Sequence, residues 1–483
     1  MQIRTFLVFA LAAHAAYAEP VGDDLPIAAG SQLSAAGSNE DTEATVAAPP
    51  PPAVAPDRIS GVEIDDQASS GRAVPRVVLY PVRIGTEIVI APIRGGAWLL
   101  ERFQLRDRIM HLLFSDDGTF GIYPTAFIET EVGWNVGLHV VDTNLFGHRE
   151  RLAIGLGYGG EFKQRYDASL TSGPILGGSR IGLRLSYRAW DRSNFFGIGN
   201  ANVASMVMPQ QIDALHDNTS LHTRFAQDVA HVEIQSATPI AGPLSFGLVA
   251  AYTHRTFSTA AQLDGFQPTL DIYSPMSLVG FETGADNFYG ETSLLLDTRT
   301  VADRYISTAS PSSGWWARAS LGFAQGAAGD PSHYARYNAD LRRCIDLYRG
   351  DRVLVLRGYL EGVTASRDAI PFTDLPRIGG NELLRGYEHD RFRDRIVAVA
   401  SAEYDFPIHR GLTGYGFIDA GRTAERINEL EPKNLHVGVG GGLQFQTLDS
   451  FLFRFQLAHS VDGTFLRFAL DPAYDLRAKN RRK

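Results

Sequence analysis

The residue patterns that could support catalysis or cofactor binding do not occur in a context where they would work. Gly155-x-Gly157-x-x-Gly160 has the letters of a dinucleotide-binding fingerprint, but it sits inside an alternating strand pattern with no helix after it. The serine-nucleophile elbow, the zinc-protease helix motif and the phosphate-binding loop are absent from the sequence. We therefore expect no enzymatic activity and no cofactor.

Metal and thiol chemistry is equally unsupported. The 13 histidines are scattered, and the nearest group, His216, His222 and His231, lacks the spacing of metal ligands. The single cysteine, Cys344, excludes an internal disulfide and a thiolate zinc site. Because it lies on a candidate strand, we interpret it as a packed small residue rather than a nucleophile.

The composition points away from several protein classes. Glycine is abundant, with 48 of 483 residues, and charged residues make up only 20%. The net charge of −9 argues against a broad nucleic-acid-binding face, so no nucleic-acid partner is expected. Mean hydropathy is −0.10, and no run of 18 apolar residues occurs beyond the N-terminus, which excludes a helical membrane protein. A membrane β-barrel stays possible because its pattern is alternation.

Residues 1–18 have the three parts of a secretory signal peptide. Arg4 supplies the positive charge, an apolar stretch follows, and Ala16-Tyr17-Ala18 precedes Glu19 as a cleavage site. An ordinary N-terminal helix is the alternative. Residues 19–75, with the Pro49–Pro52 run, are expected to form a disordered Pro/Ala-rich leader.

Residues 76–118 are expected to form a short N-terminal periplasmic segment with an amphipathic helix. Between Trp98 and Leu113, apolar residues recur at helical spacing with charged residues between them. Such a helix either packs on a larger body or lies at a membrane surface.

From Thr119 onward, apolar residues recur at every second position. Near the C-terminus, one set of apolar residues alternates with glycine, histidine and glutamine: Leu435, Val437, Val439, Leu443 and Phe445. Successive strand residues point to opposite faces, so such a segment has one apolar face and one polar or very small face. A soluble β-sandwich also alternates, but it has little use for this much glycine. A closed barrel uses small inward residues to admit a loop, and closure removes unpaired edges that a bilayer does not tolerate.

The alternation predicts an all-β fold, a 16-stranded antiparallel transmembrane β-barrel over residues 119–470. The candidate strands are 119–129, 131–142, 150–161, 164–172, 179–190, 219–236, 244–257, 288–299, 314–325, 333–349, 352–364, 393–406, 412–421, 434–447, 450–460 and 463–470. Short turns are predicted at Thr238–Pro243, His409–Gly411 and Leu448–Asp449, and long loops at 191–218, 258–287 and 365–392. Short periplasmic turns and long external loops are typical of bacterial barrels.

Three motifs follow one another in the C-terminal third. They are Leu384-Arg385-Gly386-Tyr387, the acid Glu403, and Phe417-x-Asp419-x-Gly421. In this order and spacing, the motifs resemble those of the bacterial surface-antigen superfamily, the BamA/TamA-type outer-membrane assembly barrels. The first is similar to the family's R-G-[FY] motif after strand eleven, the second to the acid on strand twelve, and the third to F-x-D-x-G on strand thirteen.

The resemblance implies a specific contact. In the family, the long sixth loop folds back into the lumen and its arginine contacts the carboxylates on strands twelve and thirteen, so Arg385 would pair with Glu403 and Asp419. A planar guanidinium suits paired carboxylates, and Gly386 would let the loop backbone pass close to the wall. Alternatively, all three are separate solvated charges. Asp419 also shares strand parity with Tyr415 and Phe417, so either these aromatic residues face the lumen or a bulge intervenes.

Two features depart from the family pattern. Family assembly factors carry several POTRA domains of about 75 residues before the barrel, whereas here only about 43 residues, 76–118, separate the leader from the first candidate strand, so the chain resembles a member without them. A basic C-terminal tail, 471–483, follows the last candidate strand and is expected to be solvated.

The resemblance implies a protein of the bacterial outer membrane that inserts or translocates proteins or lipids. Its expected partners are outer-membrane lipids and, through that activity, client outer-membrane proteins or periplasmic factors. The resemblance also implies a weak seam between the first and last strands that opens laterally while the loop-six arginine holds the lumen structure, and the glycines at positions 438 and 440–442 would favour such flexibility. A passive pore or structural barrel that keeps loop six only to stabilise the fold is the alternative.

Overall fold

A computed structural model describes residues 113, 115, 119–129, 133–159, 163–175, 178–200, 222–260, 267–275, 278–300, 311–327, 329–348, 352–409, 412–446 and 451–470. The signal peptide, the leader and the C-terminal tail predicted from the sequence lie outside these residues, as does almost all of the segment 76–118 with its amphipathic helix. In the part of the chain just specified, no helix is long and apolar enough to cross a membrane.

Sixteen long strands account for most of the described chain. In chain order they are β1 (Phe120–Glu129), β2 (Gly133–Asp142), β3 (Arg151–Tyr158), β4 (Lys163–Thr171), β5 (Arg180–Phe195), β6 (Thr223–Ala241), β7 (Leu244–Thr259), β8 (Ala285–Asp297), β9 (Gly314–Gly326), β10 (His333–Tyr348), β11 (Arg352–Val363), β12 (Ile396–His409), β13 (Leu412–Ala424), β14 (His436–Gln446), β15 (Phe451–Ser460) and β16 (Gly463–Leu470).

Each long strand pairs antiparallel with the next one in the chain, and β1 pairs with β16 as well as with β2. The β1–β16 register joins Ala126–Glu129 to Arg467–Leu470. The order of pairing therefore returns to its starting strand, and the predicted 16-stranded antiparallel barrel is confirmed. A two-residue strand, Gln267–Pro268, adds in parallel to the end of β6.

The turn predicted over Thr238–Pro243 is wrong in extent. Strand β6 continues through Pro239 to Ala241, and β7 begins at Leu244. The reversal occurs at Gly242, whose φ of +52° lies in the left-handed region. Glycine adopts this conformation without steric cost, so a tight hairpin needs no more residues and the ladder extends to its edge.

The outer faces of the strands are apolar and the inner faces carry polar residues, the reverse of the arrangement in a soluble protein. In β9, Leu321 and Phe323 point outward and are 60% and 53% exposed, while Arg318 and Ser320 point inward and are 9% exposed. The inward charge is paired, since Arg318 Nη2 lies 2.5 Å from Glu291 Oε1 on β8. Apolar residues outside and paired charges inside suit a wall that faces lipid.

The long loops pack against the ends of neighbouring strands in an aromatic core. They contain the short helix α1 (Thr269–Ile272) and the 3₁₀ turns Arg367–Ala369 and Phe372–Asp374, and a third 3₁₀ turn, Ile427–Glu429, follows β13. Phe372 packs at the centre of this core, and its ring contacts four others: Phe195, Phe225, Phe257 and Phe281.

Candidate functional site

Loop six, residues 364–395 between β11 and β12, folds back into the ring on a narrow base. Arg377–Ile378 pairs antiparallel with Phe392–Arg393 and closes the segment that carries the motif. Within it, Leu384 has a φ of +59° and Gly386 a φ of +95°. A left-handed residue on each side of Arg385 turns the backbone sharply, so the arginine stands at a bend with its side chain aimed at the wall.

The structure brings Arg385 together with both carboxylates that the sequence analysis named. Its backbone N–H, Nε and Nη2 each donate to Asp419 at 2.8 Å, and Nη1 donates to Glu403. The guanidinium also lies over the ring of Phe417, 3.5 Å from the centroid. We call this arrangement of Arg385, Glu403, Phe417 and Asp419 the loop-six tether.

The tether is an enclosed ion pair. Asp419 is fully buried and the side chain of Arg385 is 8% exposed, whereas that of Glu403 is 22% exposed. Burial alone would lower the pKa of Arg385, but the hydrogen bonds to Asp419 and the charge of Glu403 outweigh it and raise that pKa above its ordinary value. Removing one partner would leave an uncompensated buried charge, a change that costs about 3–5 kcal/mol in proteins.

Strand β13 has no bulge between Asp419 and the aromatic residues two and four positions before it. The ladder of β13 runs unbroken past Asp419 on both sides, so Tyr415 and Phe417 share its inward face. Both aromatic residues are buried, and Phe417 forms the surface on which Arg385 lies. The aromatic residues therefore face the lumen and belong to the site.

The glycines of β14 leave the space that loop six fills. A Cβ on Gly438 would overlap the carbonyl oxygen of Arg385, and a Cβ on Gly440 would lie 2.6 Å from the ring of Phe417. Across the gap, a Cβ on Gly386 would lie 2.9 Å from the carbonyl oxygen of His459 on β15. These glycines thus permit close approach of backbone to backbone at the tether, in addition to any flexibility they give the strand.

The remaining motif residues also contact the wall. The Tyr387 hydroxyl accepts a hydrogen bond from the backbone N–H of Val437 at 3.1 Å and lies 3.2 Å from its carbonyl oxygen. Gly421 faces loop six, and a Cβ there would lie 3.1 Å from the side chains of Ile378 and Leu384. The motif thereby ties the loop to β13, β14 and β15.

A second anchor, which no sequence motif indicates, holds the loop to strands β7, β8 and β10. Asp374, 2% exposed, accepts hydrogen bonds from Arg255 on β7, from Asn287 on β8 at 2.9 Å and from Tyr334 on β10 at 2.9 Å. Here the loop supplies the acid and the wall the arginine, the reverse of the tether. We call these four residues the Asp374 anchor.

The other candidates from the sequence lie in ordinary structural positions. Gly155 is within the ladder of β3, and Cys344 is buried on β10. His231 on β6 lies 2.9 Å from Thr253 Oγ1, and His222 precedes β6 and lies 3.2 Å from Glu388 Oε2, whereas His216 is outside the described residues. No group of three or more metal-ligating side chains occurs among the residues whose positions are described.

Comparison with known proteins places this architecture in a family. The Omp85 superfamily domain matches residues 144–468, about two thirds of the chain. A search of curated proteins by sequence found no match. The fold is similar to that of BamA from Haemophilus ducreyi lacking POTRA domains 1–3, with a TM-score of 0.52 and 14% identity over 73% of this chain and 70% of that one. That likeness concerns the fold alone.

Two further structures align less well. CdiB from Acinetobacter baumannii gives a TM-score of 0.45 and 10% identity over 73% of this chain, and CdiB from Escherichia coli gives 0.47 and 11% over 72%. The chain spans 59% and 62% of these two CdiB chains. The resemblance drawn from the motifs is confirmed at the level of the superfamily. By its domain match and its sixteen-stranded barrel, the chain belongs to the Omp85 superfamily of outer-membrane β-barrel proteins.

Proposed function

We propose that this chain resides in the bacterial outer membrane and inserts or translocates proteins, or lipids, there without enzymatic chemistry. Membership of the Omp85 superfamily supports this proposal. Its partners are then outer-membrane lipids, which meet the apolar outer face, and client outer-membrane proteins or periplasmic factors.

The observation that carries the proposal is the seam between β1 and β16. Strand β1 pairs with β2 over ten residues, Phe120–Glu129, but with β16 over only four, Ala126–Glu129. Among the junctions between neighbouring long strands that the structure describes, separating β16 from β1 breaks the fewest ladder hydrogen bonds. The seam is therefore the place where the wall opens sideways at the lowest cost.

Loop six supports the same proposal. The tether and the Asp374 anchor hold the loop to β7–β13 by buried ion pairs, on the part of the ring away from β1. Opening at the seam leaves these contacts intact, so the barrel keeps its shape while one junction separates. The loop also occupies the lumen, which disfavours a wide, constantly open pore.

A structural barrel is the second candidate. The many anchors of loop six favour it, because they would equally stabilise a wall that never opens. The two candidates differ in whether other outer-membrane components depend on this chain.

The deciding experiment is depletion of the protein followed by quantitative proteomics and lipid analysis of the outer membrane. We expect specific outer-membrane proteins or lipids to fall several-fold within a few generations. A steady, ungated, large conductance of the purified protein in planar bilayers, together with an unchanged outer membrane on depletion, would exclude the insertion and translocation function.

A further inference from the structure

Loop six also contacts the hairpin β15–β16, whose second strand forms the seam. Arg391, near the end of the loop, places its Nε 2.5 Å from Asp462 Oδ2 in the turn of that hairpin. Ser460, at the end of β15, donates its hydroxyl to the carbonyl oxygen of Gly386. The turn of the last hairpin is therefore fastened to the loop rather than only to neighbouring strands.

The position of Arg391 does not depend on Asp462 alone. Its guanidinium lies over the rings of Phe196 and Phe392, 4.9 and 4.7 Å from their centroids. These aromatic faces, one in loop six and one directly after β5, hold the charge in place. Asp462 therefore contacts an arginine whose side chain is already oriented, so forming the ion pair loses little further side-chain entropy.

Partial burial gives this pair more weight than a surface ion pair. The side chain of Arg391 is 9% exposed and that of Asp462 is 21% exposed. An exposed pair elsewhere, Lys433 with Glu431 at 3.3 Å, has side chains 79% and 54% exposed. Exposed pairs contribute little to stability, whereas removing one partner of a buried pair leaves the other charge uncompensated.

We propose that Arg391 and Asp462 form a positioning pair that fixes the last hairpin to loop six and so sets how readily β16 separates from β1. The pair holds the turn at the start of β16, while the end of the same strand, Arg467–Leu470, forms the short ladder with β1, so the pair acts on the junction through the position of the strand. Any effect of the pair on client insertion rests on the proposed function, whereas its effect on the separation of β16 from β1 does not.

Packing between loop six and the hairpin β15–β16 is incomplete. A cavity of about 20 Å³ lies between loop six and strands β15 and β16, lined among others by Gly386, Tyr387, Ala458 and Phe465. That volume holds about one water molecule. The hairpin is therefore not close-packed against the loop at this point, so the polar contacts of Arg391 and Ser460 contribute to holding the hairpin in place.

Hydrogen exchange of the folded protein in detergent micelles tests the proposal. In Asp462→Asn and in Arg391→Gln, we expect the amides of β16, Gly463–Leu470, to exchange about ten-fold faster than in the wild type, as expected for loss of a partly buried pair. Exchange in β9, Gly314–Gly326, should not change. The reversed pair, Arg391→Asp with Asp462→Arg, should recover part of the protection, and Glu431→Gln should have no effect.

A cross-link across the seam gives a second readout that does not require the variants to be equally stable. Ile128 and Phe468 face each other in the β1–β16 register, so cysteines at both positions, in a Cys344→Ser background, are placed to form a disulfide. We expect Asp462→Asn to lower the yield of this disulfide at short oxidation times. Unchanged β16 exchange and unchanged disulfide yield in folded Asp462→Asn would overturn the proposal.

The two proposals fail in different ways. If β16 exchange accelerates in Asp462→Asn but depletion leaves the outer membrane unchanged, the positioning pair stands and the insertion function falls. If depletion removes clients but β16 does not respond to either variant, the insertion function stands and the positioning pair falls.

Discussion

Arg385 and Asp419 are joined by three hydrogen bonds of 2.8 Å, from the backbone N–H, Nε and Nη2 of the arginine to the two oxygens of a fully buried carboxylate. One residue pair thus fixes both the backbone and the side chain of loop six to β13. This relationship determines how the chain should respond to substitutions in the lumen.

Arg385→Ala should lower the fraction of protein that migrates as folded barrel on unheated gels. The substitution strands the buried Asp419 carboxylate, and a loss of about 3–5 kcal/mol is the usual cost of such a change. Arg385→Lys should rescue little, because an ammonium group does not reproduce the two-nitrogen geometry at Asp419. Lys433→Ala, at an exposed loop position, is the control, and full folding of both Arg385 variants would show that the tether does not stabilise the barrel.

Gly438→Ala should displace loop six. The added methyl group would overlap the Arg385 carbonyl oxygen, which is backbone and cannot rotate away, and overpacking of this kind costs about 1–3 kcal/mol. Gly358→Ala on β11 is the matched control, because its Cβ meets nothing within 4 Å. The temperature at which the folded band disappears on gels measures the difference, and equal temperatures for the two variants would contradict the packing argument.

Asp374→Asn should weaken the barrel as much as loss of the tether does. The substitution keeps the shape of the side chain but leaves the Arg255 guanidinium, 3% exposed, without a charged partner in the Asp374 anchor. The expected loss is again about 3–5 kcal/mol. Because the two anchors contact different strands and share no residue, the losses in Asp374→Asn and Arg385→Lys should add within about 0.5 kcal/mol in the double variant. A strongly non-additive result would mean that loop six responds as one unit.

His222 should make the folded state sensitive to mild acid. Burial, together with Arg224 and Arg391, lowers the pKa of His222 from 6.5 to about 3. The unfolded chain therefore takes up a proton at a higher pH than the folded chain, and stability falls as the pH drops from 6.5 toward 3, by at most about 1.4 kcal/mol per pH unit. Between pH 7 and 5, His222→Gln should flatten this loss of folded fraction. An unchanged slope in His222→Gln would remove this histidine from the pH response.

The sequence predicted the barrel well because each strand carries its own alternation. The end of β9 needed no tertiary information, since Leu321 and Phe323 alternate with Arg318 and Ser320 along the segment itself. The end of β6 was misplaced because Pro239 and its polar neighbours favour a turn locally, while the ladder with β7 continues to Ala241.

The site was only partly predictable. Arg385, Glu403 and Asp419 could be named because their motifs resemble those of a known family. Asp374 has no such motif, and its contacts depend on where a loop of some thirty residues folds back across the lumen, a matter of tertiary packing. The role of Phe417 as a surface for the guanidinium likewise became visible only when the inward face of β13 was known.

The glycine surface of β14 constrains the order of events during folding. The Arg385 carbonyl oxygen lies where any side chain on Gly438 would be, and the Gly386 backbone lies against His459 on β15. Loop six therefore does not enter a lumen that is already complete, because the loop backbone and strands β14–β15 pack directly against each other. Protection of residues 379–391 from protease should accordingly arise together with that of β14–β15, so that loop six serves as a template on which the last strands assemble.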